Sequence, residues 1–92
     1  MDTHYRLVHN RAEHQYEYHI DGYLARLVYE EENGVLHLTE THVPKKLSGR
    51  GIAAALVKDV LEEISKRSLK MKPCCPYIAN YVEKHPEYKK LL

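Results

Sequence analysis

At residue 43 the hydrophobic pattern of this chain changes period, and that switch limits what it can fold into more than any other feature. Before it, apolar and polar residues alternate. Tyr16, Tyr18 and Ile20 point one way while Glu17 and His19 point the other, the period of two that strands require. Asp21-Gly22 is a two-residue hairpin signal, and Tyr23 to Tyr29 reads as the returning strand. Glu30-Glu31-Glu32-Asn33-Gly34 reads as a break. Val35 to Val43 is a further strand, with Leu36, Leu38, Glu40 and His42 on one face and Val35, Thr39, Thr41 and Val43 on the other. A short edge strand through Tyr5, Leu7 and His9 completes a four-stranded antiparallel meander.

After the switch the period is 3.6. Ile52, Leu56, Val60 and Ile64 recur at every fourth position, and Ala53, Val57 and Leu61 widen the stripe, so a helix from Gly51 to about Arg67 packs on the sheet. Glu62-Lys66 and Glu63-Arg67 are i,i+4 pairs on its outer face. Leu69 to Cys74 reads as a short strand, stopped by Pro73 and Pro76. Tyr77 to Lys84 reads as a second helix, with Ile78, Tyr81 and Val82 on its buried side. The predicted class is α+β: an antiparallel meander, a helix, a parallel fifth strand reached by a right-handed crossover, and a C-terminal helix.

Size and charge narrow the function. Residues 1–92 make one domain, too small for a cleft between two domains. Lys and Arg number 14 against 13 Asp and Glu, without the basic surplus that phosphate neutralisation on nucleic acid needs. The aliphatic run from Ile52 to Val57 is far short of a membrane span, and Met1 to Tyr5 has no signal-peptide pattern. Cys74 and Cys75 are adjacent and close no loop. The seven histidines form no zinc-type cluster. The expectation is a reduced, cytoplasmic protein, a monomer or weak dimer, without nucleic-acid or membrane partners.

The chemistry concentrates in Val43-Pro44-Lys45-Lys46-Leu47-Ser48-Gly49-Arg50-Gly51-Ile52, which joins strand to helix. Between Thr41 and Lys58 lie Lys45, Lys46 and Arg50 and no acid. An ordinary helix start carries Asp or Glu in its first turn, because carboxylates complement the positive end of the macrodipole. Here the N–H groups are left unanswered, and glycines admit a ligand close to the backbone. The set describes an anion site, for a phosphate or pyrophosphate. The competing reading is a tight Gly-x-Gly turn with solvated lysines. No Gly-Lys-Ser/Thr follows, so it is not a Walker loop.

Lys46-x-x-Gly49-x-Gly51-Ile52-Ala53, following a strand that ends at Val43, resembles the acetyl-CoA loop of the GNAT N-acetyltransferase superfamily, whose pattern is Gln/Arg-x-x-Gly-x-Gly/Ala. Lys46 keeps the charge of that pattern without the planar fork of Arg. Cys74-Cys75-Pro76-Tyr77, followed by Tyr81-Val82-Glu83-Lys84-His85-Pro86-Glu87-Tyr88, is similar to a small single-domain branch of the same superfamily with a Cys-x-Tyr after the fifth strand. The likeness spans roughly residues 16–90. The short stretch between Tyr5 and Gln15 has no room for the helices that wall the acceptor site in larger members.

The resemblance implies acetyl-CoA as substrate and an amine or protein as acceptor. Strands four and five would splay around the pantetheine arm, with Val43 near the thioester and N–H groups from Leu47 to Ile52 on the pyrophosphate. Lys46, Ser48, Gly49, Arg50 and Gly51 complete that loop. Amine attack needs a base and the leaving thiolate an acid. Glu40 is one candidate base, on the face of Leu36 and Leu38 where burial would favour its protonated form; the competing reading is a solvated or cross-strand charge. His42 reads as a polar strand-end residue first and a base second. Tyr77 or Tyr81 could bond the leaving thiolate, but with eight tyrosines in the chain both read as core packing first. Cys75 precedes Pro76 and so takes the helix N-cap, where free N–H groups favour a thiolate. It could protonate CoA or accept the acetyl group itself, against the alternative of a buried, inert thiol. Cys74 points to the opposite face. A module that binds acyl-CoA with little or no turnover is the rival function.

Overall fold

The computed structural model describes residues 5–92; residues 1–4, on which the reading of the N-terminus partly rests, lie outside it. A five-stranded sheet runs in the order β1 (Val8–Asn10), β2 (Gln15–Ile20), β3 (Tyr23–Glu32), β4 (Val35–His42) and β5 (Lys70–Pro73). The first four strands are antiparallel, and β5 is parallel to β4. Helix α1 (Ile52–Lys66) crosses between β4 and β5, and α2 (Pro76–Lys84) follows β5. The α+β class and element order are those read from the period switch.

Two elements differ from expectation by more than a residue at an end. The edge strand is Val8–Asn10 rather than Tyr5 to His9, although Tyr5 and Leu7 still pack against the core. The acidic run Glu30-Glu31-Glu32 does not break β3 but pairs with His37, Leu36 and Val35. Both hairpin turns have positive φ at their two central residues, at Asp21 and Gly22 and at Asn33 and Gly34. That is the primed-turn geometry whose twist matches the strands, and it keeps them paired right up to the turn.

One face of the sheet carries the core. Tyr16, Tyr18, Leu27 and Leu38 meet Leu56, Val57, Val60, Leu61 and Ile64 of α1, with Ile78 and Val82 of α2 closing the side. These side chains are almost wholly buried, so truncating any of the leucines to alanine costs about 2–5 kcal/mol. A 3-10 turn at Pro86–Leu91 adds Tyr88 and Leu91 to the same core. Tyr88 donates to Glu62 Oε2 at 2.6 Å, and Tyr18 donates to Asp59, fixing α1 to both the tail and the sheet.

The opposite face holds a buried acid. Glu17 lies between Val8 and Arg26 in the cross-strand register and is only 5% exposed. Its Oε2 accepts from Asn10 at 2.9 Å and Gln15 at 2.5 Å, and its Oε1 lies 2.8 Å from His19 Nε2. Burial pushes the carboxyl upward, but the hydrogen bonds from Gln15, Asn10 and His19 together outweigh it and hold Glu17 below its ordinary value.

Candidate active site

The site starts from an irregularity in β4. Val28 faces Glu40 and Tyr29 faces Leu38, which leaves Thr39 without a partner on β3. An unpaired extra residue is a β-bulge, and it reverses the alternation beyond it. Thr41, opposite the buried Leu27, therefore returns to the core face, and Glu40 and His42 turn outward. Both are exposed. Of the two readings of Glu40, the partly buried base gives way to the solvated cross-strand charge: its carboxylate is exposed, 3.4 Å from Arg26 on the outer face. Regular alternation could not anticipate this, because the count of residues per face changes at Thr39.

The same region is where β4 and β5 part. Their pairing runs from Val35 with Lys70 to Leu38 with Pro73, and the Cys75 N–H then donates to Leu38 O at 2.9 Å. Among the described residues nothing pairs with β4 on the β5 side from Thr39 onward. Pro73, the last residue of that pairing, has no N–H with which to extend the ladder.

Cys75 sits at the mouth of the opening as the N-cap of α2, with Pro76 at the first helical position. Its carbonyl accepts from Ala79 at 2.9 Å, and its side chain makes no capping bond. Cys75 is 8% exposed as a residue, and its Sγ lies 3.8 Å from Thr41 Oγ1. Cys74 is exposed.

Past the opening, a 3-10 turn at Lys45–Leu47 leads to α1. The Leu47 and Ser48 N–H groups are committed to Pro44 O and Lys45 O. The donors expected from Leu47 to Ile52 are therefore displaced two residues along. Gly49, Arg50, Gly51, Ile52, Ala53 and Ala54 make no backbone hydrogen bond from N–H among the described residues, and the first helical bond is Ala55 N–H to Gly51 O. Gly49 and Gly51 have φ of 80° and 71°, a left-handed conformation that side chains resist. A Cβ on either would meet nothing within 4 Å. Open space lies over the free donors, and no acid stands in the first turn.

These donors border a hollow of about 270 Å³. Val43, Leu47, Ser48, Gly49, Gly51, Ile52, Ala53, Ala54 and Tyr77 line it. Lys46 and Arg50 do not line it. Arg50 pairs at 2.9 Å with Asp21 of the β2–β3 hairpin. Tyr77 is 43% exposed, contrary to its reading as core. Tyr81 is half-buried and stacks on His85 with centroids 4.2 Å apart. Thr41 and Tyr77 are the residues sequence reasoning undervalued, the first because of the bulge, the second because eight tyrosines gave no means of ranking one.

A family model described as GCN5-related N-acetyltransferase matches residues 15–91. The chain belongs to that family. The match takes in β2 through the closing 3-10 turn, including the bulged strand, the glycine loop and Cys75. No curated protein matches the sequence. The solution NMR structure of a GCN5-like protein from Staphylococcus aureus superposes with a TM-score of 0.72 at 24% identity, covering 94% of this chain and 85% of that one; at that identity the likeness concerns the fold. Family and fold are those of acetyl transfer. Among the described residues no helix is long and apolar enough to cross a membrane.

Proposed function

We propose that this protein moves an acetyl group from acetyl-CoA to an amine on a small molecule or a protein, with Cys75 as the intermediate acceptor. The observation carrying this reading is the parting of β4 and β5 after Leu38, with free N–H groups at the start of α1 and Cys75 at the start of α2; Tyr77, two residues beyond Cys75, lines the hollow beside those N–H groups. The N–H groups from Gly49 to Ala54 suit the diphosphate, because aligned amides and the helix dipole favour anions. The slot between the strands suits the extended pantetheine arm, whose amides can replace the missing neighbour of β4.

In the first step Cys75 Sγ bonds to the acetyl carbonyl carbon, the bond to CoA sulfur breaks, and the thiol proton leaves with CoA. In the second, the amine nitrogen bonds to the same carbon, the bond to Cys75 breaks, and the amine's proton returns to the sulfur. Thr41 Oγ1, beside Sγ, accepts from the thiol or donates to the thiolate as each step requires. Residues 11–14 alone join β1 to β2, leaving the acceptor side unwalled and suited to an exposed amine.

A second reading has its own support. No ionisable side chain among the described residues hydrogen-bonds Cys75, and Glu40 faces away. That arrangement favours an acyl-CoA-binding module with little turnover. Intact-mass measurement after incubation with acetyl-CoA alone separates the two. An added acetyl group labile to hydroxylamine and absent from Cys75→Ala is the expected result. Thermal stabilisation by CoA without any acetyl adduct, and no transfer to added amines, would leave the binding module. Failure of CoA to raise the melting temperature would remove both. With CoA at a hundredfold excess over Kd, binding is worth about 2.7 kcal/mol.

A further inference from the structure

At the other end of α1 is a second concave site that acyl transfer does not use. A cavity of about 200 Å³ is walled by His9 from β1, Arg11 and His14 from the β1–β2 turn, Tyr29 and Glu31 from β3, and Arg67 just past α1. Helix α1 has 15 residues, which at 1.5 Å each sets this cavity roughly 22 Å from the glycine loop. We propose that the cavity binds a small oxyanion, the phosphate or carboxylate group of a ligand, between the guanidinium groups of Arg11 and Arg67, with His9 and His14 as flanking donors.

Charge and hydrogen bonding support the assignment. Two guanidinium groups and one carboxylate, Glu31, line the cavity, and a second carboxylate, Glu63, is near enough to act on His9. Among the described residues, neither Arg11 nor Arg67 forms an ion pair. Arg67 comes close to the Tyr16 hydroxyl, which is buried and has no hydrogen-bond partner. Guanidinium forks match planar or tetrahedral oxyanions bidentately, and a chain with near-zero net charge has no general surplus to account for the pair.

The walls are also held in place. The His9 ring stacks on Tyr16 with centroids 4.1 Å apart and planes 13° from parallel, and His9 Nε2 lies 2.6 Å from Tyr29 Oη. His14 stacks on the other tyrosine, Tyr29, at 5.9 Å and 11°, with its own backbone carbonyl bonded to the Tyr29 N–H at 2.9 Å. Both imidazoles are thus positioned before any ligand arrives, so the ordering entropy of binding falls on the two arginine side chains. Burial, then Arg11 and Arg67, depress the basicity of His9, against the smaller opposing pull of Glu63 and Glu31. A bound anion offsets the charge of Arg11 and Arg67 beside His9, which gives the site its own signature.

The test is an amide and imidazole NMR titration of the whole chain with inorganic phosphate and, separately, with acetate, at ionic strength held constant with sodium chloride. The expected result is saturable shifts at His9, Arg11, His14 and Arg67 with at least one oxyanion, together with a rise in the His9 pKa. Saturation with phosphate alone assigns a phosphoryl ligand, and saturation with acetate assigns a carboxylate. Arg11→Gln and Arg67→Gln should each weaken binding about tenfold, and the double variant should abolish it. Arg11→Gln lies on an exposed turn and keeps the test valid if Arg67→Gln disturbs the helix end. Shifts that grow linearly without saturation, or that persist in both variants, overturn the proposal. So do shifts confined to Gly49, Gly51 and Ile52, which would place the anion at the glycine loop.

Discussion

Gly51 shows how one residue separates folding from binding. It caps α1 in a left-handed conformation with open space where a side chain would stand. Gly51→Asp places a negative charge among the free N–H groups and adds backbone strain of about 1 kcal/mol. The expected outcome is a folded protein whose melting temperature falls by roughly 4–8 °C and no longer responds to CoA. Gly51→Asn carries the same strain without the charge and should keep a CoA-dependent rise in thermal melts; equal loss in both would assign the effect to backbone geometry. At the thiols, Cys75→Ala should abolish the acetyl adduct while retaining CoA stabilisation. Cys74→Ala should change stability by less than about 0.5 kcal/mol, since its side chain is exposed.

Glu17 makes a prediction in pH. Its folded value lies below its ordinary 4.5, so it binds fewer protons folded than unfolded at mildly acid pH. Its contribution to stability is present above the ordinary value and is lost as the pH falls through the folded one. Urea denaturation across the acid limb should show a steeper loss for the parent than for Glu17→Gln. Parallel slopes would mean that the Asn10, Gln15 and His19 contacts contribute nothing through ionisation.

Among the elements, β4 decides the site. Its bulge turns Thr41 toward Cys75 and Glu40 toward solvent. Thr39 is exposed, so deleting it removes little core and restores a regular ladder with β3. The deletion variant should fold, with the melt as cooperative as the parent's, and lose most of its stabilisation by CoA. Undiminished stabilisation would show that the opening between β4 and β5 does not depend on the bulge. Such an irregularity leaves little mark in sequence: Thr39-Glu40-Thr41 has no apolar residue to reveal which side each one faces. The helices were far more legible, because six of the seven apolar positions named for α1 proved buried, Ala53 alone being half-buried beside the hollow.

In the whole molecule, α1 joins two ends of different character. Its start presents free donors beside the strand opening, and its finish delivers Arg67 to the polar cavity under β1 and β3. The sequence by itself determined the element order, the hairpins and the helix stripe, because alternation, turn residues and 3.6 spacing are local properties of the chain. It also located the glycine loop and the cysteine at a helix start, since both are defined by neighbours in sequence. Only the tertiary structure decided which donors in that loop are free, which face Glu40 occupies, and that Arg50 is held by Asp21. It alone brought His9, His14 and Arg67 to one cavity. Those outcomes depend on pairing between segments far apart in the chain, where a single unpaired residue resets every side chain after it.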